Sequence, residues 1–177
     1  YCSLEMSRFD IYCRYCTIKR GMSWIAVRTG KHKEELLAVV KEASTKPLYL
    51  LDRKMMGTTA LIRTAIGELT EYYGQPPVVF IDYLQLLVPF GSDADRFEKM
   101  GEVSMEVRDM AQETGSPTIA ITAVNRQSYS VTDPRTGKPD RAIAMSAAKM
   151  SGCLEYDAEV ILGLSLFPAT EKGVFGW

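Results

Sequence analysis

Besides 47–51, whose Asp52 could help a site but reads at least as readily as a cap, two apolar runs in this 177-residue sequence end in carboxylates. Cys2-Ser3-Leu4 leads into Glu5, and Val78-Val79-Phe80-Ile81 leads into Asp82, with Tyr83 and Gln85 close behind. A third run, 117–121, leads into Thr122, then Asn125 and Arg126. If these runs are parallel strands of an open sheet, their carboxyl ends form the edge where ligands bind. Two carboxylates and several hydrogen-bonding groups would then converge there. That set suits a hydrated Mg²⁺ on a phosphate chain, because Mg²⁺ prefers oxygen ligands, keeps waters, and takes one or two carboxylates plus substrate phosphates. The plainer reading is that Asp82 ends its strand and caps the next element. Val-Val-Phe-Ile-Asp alone does not separate the two.

Holding these groups on one edge needs alternating strands and helices, and the hydrophobic pattern supplies them. Short apolar runs end at Leu4 and span 47–51, 78–81, 117–121 and 160–164. Between them lie stretches of helical period. Ser7-Arg8-Phe9-Asp10 reads as a capping box with Asp for the usual Glu, and it opens a helix with Phe9, Cys13 and Cys16 on one face. Leu36, Val39, Val40 and Ala43 form a second stripe. Thr58 or Thr59 caps a third helix, with Ile62, Ala65, Ile66, Leu69 and Tyr73 inward. Phe97, Met100, Val103, Val107 and Met110 form a fourth. The alternation predicts an α/β fold with a mostly parallel central sheet. Runs that are apolar throughout predict strands covered on both faces.

A polar stretch, 125–146, breaks the rhythm; a loop this long in a compact domain is usually functional or disordered. It holds Arg126, Arg135, Lys138 and Arg141 against Asp133 and Asp140, a local basic excess. Across the chain 21 basic and 22 acidic residues leave a net charge of −1, so no whole-chain field points to nucleic acid or membrane. No apolar run reaches the length of a membrane span and no signal peptide is visible. Four cysteines do not make a secreted disulfide framework, and the default location is the cytoplasm. The chain opens at Tyr1 without an initiator Met and stops at Trp177 soon after a strand-like run, as a piece of something longer would.

Ser3-Leu4-Glu5-Met6-Ser7 and Ile81-Asp82-Tyr83-Leu84-Gln85-Leu86 together resemble the DnaB-type replicative DNA helicases, in their C-terminal RecA-like ATPase domain. Arg28-Thr29-Gly30-Lys31, Asn125-Arg126, Ser151-Gly152 and Glu155 with Asp157-Ala158-Glu159 match further family segments in the right order, so the resemblance covers nearly all of 1–177 as a partial ATPase domain. It implies a three-layer RecA-like fold and a core that hydrolyses ATP with Mg²⁺ between subunits of a hexameric ring. Hydrolysis would drive translocation on single-stranded DNA and unwinding of duplex, with a primase or helicase loader as partner. Glu5 resembles the catalytic glutamate that activates the attacking water, and Asp82 the Walker-B aspartate that reaches Mg²⁺ directly or through water. Gln85, Thr122, Asn125 and Arg126 fall at nucleotide-sensing positions. Lys149, Met150, Ser151 and Gly152 resemble the loop that holds a DNA phosphate.

Several positions depart from the family. No G-x-x-x-x-G-K-[ST] is present; in the family that phosphate loop lies just upstream of the Ser-Leu-Glu-Met strand, and the arginine finger and its companion lysine lie downstream of the region matched here. Ala123 occupies the place of the glutamine that senses the γ-phosphate, and a methyl group cannot donate that hydrogen bond. Lys149 stands for the usual Arg, keeping the charge without the bidentate fork. Ala123 motivates the alternative function: a RecA-fold loader or regulatory subunit that binds nucleotide or single-stranded DNA without unwinding. A recombinase or clock-type ATPase of the same fold fits the two motifs less well. Cys13-Arg14-Tyr15-Cys16 lacks a second spaced pair for zinc and reads as buried small hydrophobes. His32 and the methionines read as a solvated side chain and gap-fillers.

Overall fold

The computed structural model describes residues 1–52, 57–87, 96–123 and 154–162. The contacts divide the chain into two units, Tyr1–Ala123 and Val124–Trp177. In the first unit the element order is β1 (Cys2–Ser3), α1 (Arg8–Arg20), α2 (Trp24–Arg28), α3 (Lys33–Ala43), β2 (Leu51–Asp52), α4 (Thr59–Tyr73), β3 (Val79–Asp82), a 3₁₀ turn (Leu84–Leu86), α5 (Arg96–Thr114) and β4 (Thr118–Ala120). The second unit contributes one described turn of helix, α6 (Leu154–Asp157).

The four strands form one sheet in the order β2-β1-β3-β4, and every pairing is parallel. The mostly parallel α/β expectation therefore holds. Parallel neighbours need crossovers, and the helices supply them. The connections β2–α4–β3 and β3–α5–β4 step in the same direction across the sheet, so the right-handed rule places α4 and α5 on one face. Their inward stripes are Ile62 and Ile66 on α4 and Met100, Val103, Val107 and Met110 on α5, all buried. Thr59 Oγ1 donates to Glu106 Oε2 and ties the start of α4 to α5. Thr58 is the cap, accepting from Leu61 N–H at 3.4 Å, and Gly74 closes α4 at φ 71°, a backbone state open to glycine without penalty.

The α1–α3 helices make their own cluster. Cys13, Cys16, Val27 and Val39 are buried, with Tyr12, Tyr15, Met22, Trp24 and Leu36 packed around them. Both C-x-x-C thiols thus act as small core hydrophobes, and burial pushes the Cys13 thiol up from its ordinary pKa. Ser7 caps α1 as its sequence implied: its Oγ accepts from Asp10 N–H at 3.2 Å while its hydroxyl donates to Asp10 Oδ2 at 2.7 Å. Phe9 departs from the expected inward face and is 59% exposed. It sits on the first turn of α1. Val40 and Tyr73, at the margins of their stripes, are also exposed.

Two strand expectations change. On β3, Val79 and Ile81 are buried, but Val78 is 55% and Phe80 38% exposed. Ile119 and Ile121 at β4 are exposed as well. An unbroken apolar run does not prove burial on both faces, because a strand sends alternate residues to opposite sides. The run 160–164 shows no strand over its described part, and Val160 and Leu162 are exposed. The 125–146 loop lies outside the described residues.

Candidate functional site

The register of the sheet decides what shares its rim. Ser3 pairs with Asp52 on β2 and with Asp82 on β3, so the three residues form one row across adjacent strands. Leu4 N–H then donates to Asp82 C=O at 2.7 Å, which extends the β1–β3 ladder by one bond. Glu5 is the next residue, exposed, at the same end of the sheet. Ser3 Oγ accepts from Met6 N–H at 3.2 Å, turning the chain immediately after the strand and leaving Glu5 at the lip. Glu5 and Asp82 therefore lie at neighbouring strand ends on one rim.

Asp82 is half-buried and is met by a residue that the motif reading passed over. Tyr1 O–H donates to Asp82 Oδ2 at 2.5 Å, within the range of a charge-assisted O–H···O⁻ bond. Parallel register puts Tyr1, Ser3, Phe80 and Asp82 on one face, and the Tyr1 ring stacks on Phe80 with centroids 6.4 Å apart. Burial first, then the bond to Asp82, pushes the Tyr1 phenol up to about 12. The signal in the sequence was the period of two: Tyr1 precedes Ser3 by two residues and so shares its face.

Gln85 and Thr122 are brought together. From the 3₁₀ turn after β3, Gln85 Nε2 donates to Thr122 Oγ1 at 2.8 Å and to Ala123 C=O at 3.0 Å. Ala123 N–H donates back to Gln85 Oε1 at 3.3 Å. Leu84 N–H donates to Ile121 C=O at 2.9 Å on the same seam. Gln85 thus uses its whole carboxamide to clamp the end of β4 to the end of β3, and Ala123 takes part through its backbone alone. On the other side of β1, Arg8 Nε lies 3.2 Å from Asp52 Oδ2. Asp52 Oδ1 is buried without a hydrogen-bond partner among the described residues. Asn125, Arg126, Lys149, Met150, Ser151 and Gly152 lie outside the described residues.

The donor set accommodates a hydrated Mg²⁺–nucleotide better than a metal held by protein alone. Among the described residues no three His, Cys, Asp or Glu side chains gather as a ligand cage. Tyr1 occupies only one oxygen of Asp82, and Mg²⁺ with substrate phosphates needs no more than one or two carboxylates.

Residues 1–166 match the family described as the DnaB-like helicase C terminal domain. The chain belongs to this family. It is 28% identical to the replicative DNA helicase DnaB of Helicobacter pylori strain 26695, over 92% of this chain and 32% of that protein. It is 30% identical to DnaB of Mycobacterium leprae, over 90% of this chain and 26% of that protein. A probable plasmid replicative DNA helicase of Chlamydia psittaci is 29% identical over 93% of this chain and 35% of its own length. The DnaB-like chain thus spans about a third of these relatives or less. Among solved structures, an isolated ATPase domain superposes with a TM-score of 0.74 at 22% identity, over 89% of this chain and 55% of that one. A DnaB-like replicative helicase, described with its interactions with primase, superposes at 0.73 and 22% identity, over 89% of this chain and 37% of that one. These likenesses establish the RecA-like fold. No helix among the described residues is long and apolar enough to cross a membrane.

Proposed function

We propose that this chain is the core of an ATP-dependent replicative DNA helicase, working in the cytoplasm as part of a longer protein. One observation carries the reading: in a DnaB-like chain, Glu5 and Asp82 stand at neighbouring parallel strand ends on one rim. Mg²⁺, when bound with ATP, neutralises charge on the β- and γ-phosphates. Asp82 would hold that ion directly or through water with the oxygen that Tyr1 leaves free. Glu5, exposed and one residue beyond the ladder, would orient the attacking water and take its proton on the carboxylate. Catalysis of this type is positioning plus electrostatics, and the sheet supplies the positioning.

Gln85, Thr122, Asn125 and Arg126 are the nucleotide-sensing residues that the family resemblance implies, and of these Gln85 and Thr122 are joined by the Gln85 clamp. Lys149, Met150, Ser151 and Gly152 hold a phosphate of single-stranded DNA. Phosphate contacts of this kind position the strand without reading its sequence. The working assembly is a homo-oligomer, hexameric as the family resemblance implies, with a primase or helicase loader as partner. The sequence holds no phosphate-loop motif, so residues 1–177 alone are expected to show no turnover.

The full-length protein should hydrolyse ATP and unwind a forked duplex. Absence of both activities would overturn the proposal. Ala123, whose methyl cannot sense a γ-phosphate, favours one second reading: a loader or regulatory subunit that binds nucleotide or single-stranded DNA without unwinding. ATP binding without strand separation would select it.

A further inference from the structure

We infer that Tyr1 is a positioning residue for the cation site, fixing the Asp82 carboxylate so that one oxygen faces the metal–nucleotide. The inference rests on the proposed metal role of Asp82 and adds a residue to it. Three observations place Tyr1 there. Its backbone is held in the sheet, since Tyr1 C=O accepts from Leu51 N–H at 2.9 Å. Its side-chain direction follows from the β1–β3 register, which puts residues 1, 3, 80 and 82 on one face. Its ring lies on Phe80, 6.4 Å between centroids and 27° from parallel. With backbone, direction and ring plane all set, the hydroxyl donates to Asp82 Oδ2 at 2.5 Å.

The consequence follows from the torsional freedom of an aspartate. The terminal torsion of Asp is broad and two-fold, so a carboxylate at a strand end samples many orientations. One strong bond on Oδ2 removes that freedom and presents Oδ1 in a single direction. Partners that orient a metal ligand from behind are worth about 10–100-fold in metal affinity or activity.

The test is Tyr1→Phe in the full-length protein, which keeps the ring on Phe80 and removes only the hydroxyl. Mn²⁺ serves as the probe, titrated by electron paramagnetic resonance in the presence of a non-hydrolysable ATP analogue. The half-saturating Mn²⁺ concentration should rise by roughly tenfold, while metal-free binding of the analogue stays at its wild-type value. A role of Tyr1 in packing alone would leave the Mn²⁺ curve in place, because the ring is retained, and that result would overturn the inference. Asp82→Asn separates the two layers of argument. If Asp82→Asn weakens Mn²⁺ binding and Tyr1→Phe does not, the positioning role fails and the metal site stands. If Asp82→Asn leaves Mn²⁺ binding intact, the metal site itself fails, and the positioning role fails with it.

Discussion

The Gln85 clamp makes a prediction whose size can be worked from the hydrogen bonds. Gln85→Ala removes three bonds: Nε2 to Thr122 Oγ1, Nε2 to Ala123 C=O, and Ala123 N–H to Oε1. A buried bond contributes about 0.5–1.5 kcal/mol net. Ala123 is exposed and Thr122 half-buried, so water replaces part of what is lost and each bond belongs at the low end. The sum is about 1.5 kcal/mol, localised at the exit of β4, and corresponds to roughly tenfold in a local opening equilibrium. Gln85→Glu separates the two halves of the clamp. It preserves the shape and still accepts from Ala123 N–H and from the Thr122 hydroxyl, yet a carboxylate cannot donate to the Ala123 carbonyl. Native-state hydrogen exchange on the full-length protein reads the result at the Ala123 amide. Gln85→Ala should lose roughly tenfold of protection there, and Gln85→Glu, which keeps the acceptor for that amide, should lose less, while amides of α4 hold wild-type protection. If Gln85→Ala leaves Ala123 protection unchanged, the carboxamide does not hold the seam and the clamp is wrong.

Two further outcomes test the packing. Met110→Ala, at a fully buried position of α5, should cost about 2–5 kcal/mol in denaturant unfolding. Ile18→Ala, at a residue 82% exposed, should stay within about 0.5 kcal/mol; equal effects would contradict the assigned core. The buried thiols of Cys2, Cys13 and Cys16 should resist iodoacetamide at about pH 8, near the ordinary thiol range, in native protein and react once unfolded, as mass spectrometry of the alkylated peptides would show. Desolvation raises the Cys2 and Cys13 pKa, so thiolate is scarce in the folded state and native reactivity grows only as pH rises above the ordinary thiol range. Rapid native alkylation of Cys13 under those conditions would place it outside the cluster.

Much of the fold was legible because its signals are local. The Ser7 cap, the Thr58 cap and the α5 stripe from Met100 to Met110 are written in spacings of three and four residues, and the structure reproduces each. The parallel sheet followed from alternation of elements, and with it the shared rim of Glu5 and Asp82. What was hidden depends on pairs distant in sequence. The Tyr1–Asp82 bond spans 81 residues and the Gln85–Ala123 pair 38; the period of two puts Tyr1 on the face of Ser3 without naming its partner, and no periodicity marks the second pair. The exposed Phe80 shows the opposite error, in which an apolar run hid a side that its neighbours leave open. Ala123 looked like a lost sensor, and its backbone is what the structure uses.

The account stands on Glu5 and Asp82 sharing one nucleotide in separate roles. Measuring ATP binding and turnover of the full-length protein carrying Glu5→Gln or Asp82→Asn tests this directly. Glu5→Gln should lower turnover by about 100-fold or more with Mg²⁺-dependent ATP binding preserved, whereas Asp82→Asn should lose turnover and Mg²⁺-dependent binding together. Turnover near the wild-type rate in either variant would contradict the account.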